Sequence, residues 1–153
     1  IITNIGGTSA DMGNAVFVAA MLELPTMAFF SKMSEKINCG TLIKFSILMF
    51  CVKHALTYFA TNMIMIYLAQ VCQMFAYALF IPASVYYVNE KIALADRVKG
   101  QSLVTTSMTL SGVFANFAGG IMLDALGVGH VLLAGIILSI VGAVIVILTT
   151  EKV

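Results

Sequence analysis

"ALGVGHVLLAGIILSIVGAVIVILTT", residues 125–150, runs from end to end without an Asp, Glu, Lys or Arg. A helix that crosses the hydrocarbon core of a bilayer needs about 20 mostly apolar residues, and this run exceeds that. Residues 55–89 and 101–123 are equally free of formal charge. Across the 153 residues, 61% are hydrophobic and only 10% charged. A soluble domain carries about 25% charged residues, so the polar groups here are too few to cover a water-facing surface. Each run is also far longer than a typical strand of about 5–6 residues. In lipid a helix satisfies its own backbone, whereas an open sheet does not. The sequence therefore predicts an all-α polytopic membrane helix bundle with the lipid bilayer as its first partner.

Five spans are expected, at about 13–31, 41–60, 63–88, 102–122 and 130–149. Their connections sort by charge. Residues 31–40 carry Lys32 and Lys36, residues 89–100 carry Lys91, Arg97 and Lys99, and the tail carries Lys152. The other set, 1–12, 59–62 and 123–130, contains no Lys or Arg. Cytoplasmic loops collect Lys and Arg, so the N-terminal end is expected outside and the C-terminus in the cytoplasm. Tyr58 and Phe59 at one end, and Tyr86 and Tyr87 at the other, suit the interfacial depth of amphipathic rings; packing between helices is the other reading. Spans four and five each carry a stripe of small residues, Ser111, Ala115 and Gly119 beside Gly112, Asn116 and Gly120, then Gly135, Ser139 and Ala143. Such stripes let helix backbones approach closely, so close packing is expected there; Asn116 has a second reading as a cavity residue.

A net charge of +1 argues against a nucleic-acid partner, because phosphate binding needs clustered Lys and Arg. Cys39, Cys51 and Cys72 lack metal-site spacing and read as small packing residues. No cofactor is expected. No His/Asp/Glu cluster or Ser–His arrangement falls at one membrane depth, so the chain does not read as an enzyme. It lacks an evident cleavable signal and begins at isoleucine, from which we expect a piece of something longer.

Ionisable groups deep in a span cost about 2.5–3.5 kcal/mol on insertion scales and usually face a partner or an aqueous cavity. Glu23 lies near the middle of the first span and Lys53 just past the middle of the second. Lys44 is within about one turn of a membrane end, where its stem snorkels. Nine residues separate Lys44 from Lys53, which puts them on opposite helix faces. His54, beside Lys53, is either a packing residue or a titratable neighbour. In the third span Gln70, Gln73, Tyr77 and Ser84 recur at helical spacing on one face. They either bond between helices or line a cavity shared with Glu23 and Lys53. Pro25 and Pro82 each remove a backbone donor inside a helix and are expected to bend it.

"ELP" (23–25) with "FFSKMSEKINCG" (29–40), and "ADRVKGQSL" (95–103) with "SGVFANFAGGIMLDALG" (111–127), resemble helix eight with its following loop, and the tenth loop with helix eleven, of major facilitator superfamily transporters. The lactose-permease-like oligosaccharide and nucleoside proton symporters are the nearest group. The resemblance covers about residues 14–150 and implies helices eight to twelve, most of the C-terminal six-helix half of a twelve-helix transporter, with the substrate cavity between two halves near the midplane. It implies a sugar-contacting role for Glu23 and a proton-coupling role for Lys53 in place of an arginine, which keeps the charge but not the bidentate fork. At Gln70, Gln73 and Ala76 the resemblance implies a lysine, a coupling histidine and a protonating glutamate, none of which this chain has.

The expected function is therefore a fragment of a secondary active transporter for a sugar-like or nucleoside-like solute, working by alternating access in the cytoplasmic membrane and coupled to protons. Substrate-binding or coupling residues are expected among Glu23, Lys53, His54, Gln70, Gln73, Tyr77 and Asn116, with Lys53 holding or pairing Glu23. The expected partners are a small polar solute and the N-terminal half of the same transporter. The alternative is a small helical membrane subunit or channel that acts by assembly.

Overall fold

A computed structural model describes residues 1–151 of the chain. Five long helices account for most of it: α1 Ser9–Ser34, α2 Cys39–Tyr58, α3 Met63–Lys91, α4 Arg97–Leu126 and α5 Val128–Thr149. All five are long and apolar enough to cross a membrane. Short 3-10 turns at Ile2–Ile5 and Leu94–Asp96 complete the secondary structure of the described residues. The links between long helices are brief, so successive helices reverse direction. The α1–α2 and α3–α4 links, together with the chain after α5, gather at one end, called here the basic end.

Polar caps set where α1, α2 and α3 start, whereas α4 and α5 have no side-chain cap. At α1, Thr8 and Asp11 form a reciprocal capping box: the Asp11 N–H donates to Thr8 Oγ1 over 3.2 Å, and the Thr8 N–H to Asp11 Oδ2 over 2.8 Å. Asn38 caps α2 through the Thr41 N–H at 2.8 Å, and Asn62 caps α3 through the Met65 N–H at 3.1 Å. Between α4 and α5 stands Gly127 alone, with φ 81° and ψ 173°, a conformation essentially confined to glycine. Pro25 and Pro82 lie inside α1 and α3, and both helices run on through them.

α3 is the hub. It packs against α2 and α1, α2 also packs against α5, and α4 makes fewer contacts with α5 and α3. The reason is visible in α3 itself. Ala69, Ala76 and Ala83 recur every seven residues and are all at most 1% exposed, with Ala78 and Leu79 fully buried beside them. Where lipid removes the hydrophobic incentive between helices, close backbone approach over small side chains drives association. Near the basic end the packing widens into a cluster of Phe30, Cys39, Leu42, Ile43, Leu79 and Ala83. Tyr86 meets Phe30 edge to face at 5.2 Å, so this tyrosine packs between helices as well as standing near a helix end.

The close packing expected of span four is not found among the described residues, while span five packs on α2. Gly112, Gly119 and Gly120 of α4 have no neighbour within 4 Å of where a Cβ would lie, and Ser111, Ala115 and Asn116 are exposed. A small-residue stripe permits close approach but does not choose the neighbour. The small face of α5 turns to α2, where a Cβ on Gly135 would come 3.6 Å from His54 Cδ2. α4 is seated firmly only at its start. There Gly100 is buried against Val88 and Ile92 so closely that a Cβ would clash with both, and Gln101 Nε2 donates to the Val85 carbonyl at 2.9 Å.

At the basic end, Lys91 of α3 pairs with Glu151 beyond α5, and the Glu151 N–H donates to Tyr87 Oη at 3.2 Å. The Lys91 hydrogen bond holds the Glu151 carboxyl below its usual range. These contacts tie the end of α5 to the end of α3.

Candidate functional site

The deepest polar contact between helices is that of Lys53. Its stem crosses from α2 to α3, the neighbour against which α2 packs most extensively, and Nζ donates to Gln73 Oε1. One turn on, Thr57 Oγ1 donates to the Lys53 carbonyl at 2.8 Å. Both Lys53 and Gln73 are half-buried. Glu23 of α1 is half-buried too. It forms no ion pair with Lys53. In place of the expected Lys53–Glu23 pairing there is a Lys53–Gln73 bond. The cause lies in the packing: α1 has α3 and not α2 as its main neighbour, so an amide on α3 is the nearer acceptor.

A cation inside a bundle with one neutral acceptor is sensitive to losing it. Gln73→Leu is expected to destabilise the folded chain by about 1–3 kcal/mol, the cost of an unsatisfied buried donor. Adding Lys53→Met in that background should recover part of the loss. A double-mutant cycle on unfolding in mixed micelles measures the coupling, and strictly additive losses would mean that the two side chains do not interact.

The other predicted residues sit apart from this trio. His54 turns to α5, with Cδ2 beside Gly135; its Nδ1 donates to the Phe50 carbonyl at 2.9 Å, and its ring stacks beside Phe50 at 6.5 Å. Gln70 lines a cavity of about 360 Å³ with Thr8, Ser9 and Met12 at the start of α1. Tyr77 and Ser84 line another, of about 530 Å³, between α3 and α4. Asn116 is exposed on α4. Gln70 thus lines one cavity and Tyr77 with Ser84 another. As α3 runs through the bundle it meets a different neighbour at each height, and each polar group answers to the one beside it.

One set of polar groups escaped the sequence reading. Ser102, Thr105, Thr106 and Thr109 of α4 follow the i, i+3, i+4, i+7 rhythm of a single helix face, and they line the cavities between α3 and α4. Their spacing was the available signal; because none is ionisable, a search for intramembrane charge passed over them. Among the described residues no three His, Cys, Asp or Glu side chains converge in a way that would hold a metal ion.

No curated protein and no solved structure matches the chain. A family model does, that of the Major Facilitator Superfamily, over residues 1–153. With five membrane-length helices packed around α3 and ionisable groups set among them, the chain belongs to the Major Facilitator Superfamily of transporters.

Proposed function

We propose that this chain forms helices eight to twelve of a secondary active transporter, most of its C-terminal six-helix half, and that the whole transporter moves a sugar-like or nucleoside-like solute by alternating access. The observation that carries this reading is the setting of polar groups on three neighbouring helices: Lys53 of α2 bonded to Gln73 of α3, with Glu23 half-buried on α1, which packs against α3. A carboxylate is a strong acceptor for the hydroxyl hydrogen bonds of a polar solute. Glu23 is the solute-binding group in this reading, and Lys53 alternates between Gln73 and the occupied site.

Proton coupling belongs to the same proposal. With Gln70, Gln73 and Ala76 on α3 in place of titratable groups, Glu23 is this chain's only carboxylate well inside a span, and it is the group to which we assign the coupled proton. The Lys and Arg on the links at the basic end support a cytoplasmic placement of that end in the cell membrane. The partner is the N-terminal half of the transporter, whose rocking against this half opens the site to alternate sides.

The test is an uptake screen of sugars and nucleosides with the intact transporter in proteoliposomes, with and without an imposed inward proton gradient. At least one such solute is expected to accumulate, and faster with the gradient. Failure of every sugar and nucleoside to accumulate overturns the solute assignment; accumulation indifferent to the gradient overturns the coupling.

A further inference from the structure

At the basic end, between the last turns of α3 and the first turns of α4, lies a cavity of about 490 Å³ lined by Asn89, Arg97, Gln101, Ser102, Thr105 and Thr106. We propose that this cavity is an oxyanion site, separate from the Lys53–Gln73 contact, with Arg97 as its charged anchor and the phosphate or carboxylate group of a free solute or a lipid headgroup as its ligand.

The first observation is Arg97 itself. Its Nε is buried and has no hydrogen-bond partner among the described residues. Nε is shielded from solvent, so the ligand meets the Nη groups. Arg97 lines the cavity and forms no ion pair among the described residues, and the two Nη groups of a guanidinium present a planar fork suited to two oxygens of one anion. The carboxylates along the chain nearby are not its partners. Asp96 accepts from Lys99 at 2.8 Å, and Glu151 pairs with Lys91; Glu90 is exposed. Among the described residues no carboxylate lines the cavity.

The remaining walls supply neutral donors. Gln101 donates to the Val85 carbonyl at 2.9 Å and to Asn89 Oδ1 at 3.4 Å. That second contact leaves the Asn89 amide N–H groups free to donate into the space. Ser102 spends its hydroxyl proton on the Val98 carbonyl, 2.9 Å away. Thr105 and Thr106 make no such back-bond among the described residues; both are exposed and line the cavity. One full positive charge, an amide and two threonines around a space with no carboxylate among the described residues constitute the donor set an oxyanion needs.

Arg97 is the only arginine in the chain, so protein labelled with 15N-arginine gives one Nε–H NMR signal. The chain in phosphatidylcholine nanodiscs is titrated with inorganic phosphate, and separately the disc lipid is replaced stepwise by phosphatidylglycerol. A saturable shift of the signal with phosphate identifies a free oxyanion as ligand. A saturable shift with phosphatidylglycerol alone identifies the lipid headgroup. The double variant Thr105→Ala, Thr106→Ala keeps the reporter and is expected to weaken whichever response appears by about fivefold or more. Absence of a saturable shift in both titrations, or one that sodium chloride reproduces at equal ionic strength, overturns the proposal.

Discussion

Glu23→Ala in the intact transporter is expected to abolish solute uptake while the protein reaches the membrane at its normal level. Seven carboxylates occur in the chain, and Glu23 alone lies well inside a predicted span. Insertion favours its removal, since an acidic side chain at depth costs about 2.5–3.5 kcal/mol. Each hydrogen bond from a solute hydroxyl to the charged oxygen contributes about 1.5–3 kcal/mol, so losing two such bonds lowers uptake on the order of a hundredfold or more. Glu23→Gln keeps an acceptor without the charge and should fall between. The measurement is initial uptake rate normalised to membrane protein. Normal uptake by the alanine variant would sink the assignment of Glu23 to the site.

A second large effect is expected at the hub. Ala76 of α3 is fully buried, and Ala76→Phe forces a ring into a contact between helices that has no space for it. Overpacking a well-filled core costs about 1–3 kcal/mol and at times more. Here the upper part of that range is expected, because the helices flanking α3 must move apart. The matched control is Ala115→Phe on exposed α4, which should leave stability nearly unchanged. Thermal unfolding of the two variants in the same detergent tests the contrast. Equal stability would mean that α3 is not the packing centre of the bundle.

The spans were legible because charge-free length is a property of the sequence alone, and bilayer thickness converts it directly into helices. Their ends were less so. Thr8, Asp11, Asn38 and Asn62 extend or start the helices, and an apolar count does not register caps. The importance of Lys53 followed from its depth, but its partner did not, because depth does not say which helices adjoin. Glu23 was the obvious countercharge, yet the α2–α3 contact gave the lysine to Gln73. The glycines of α4 misled for a related reason: a smooth face is visible in sequence, while what lies against it is decided by the rest of the bundle. On α3 the seven-residue repeat of Ala69, Ala76 and Ala83 was equally present in the letters and carries the packing.

The way α4 is mounted has a mechanical consequence. The helix is a thirty-residue rod, seated at Gly100 and Gln101 near its start and joined to α5 through Gly127 alone, with sides mostly free of the bundle. Few side chains must let go for its middle to shift against its neighbours, and α4 is the part of the chain best suited to take up displacement while the α1, α2, α3 and α5 assembly moves as a block.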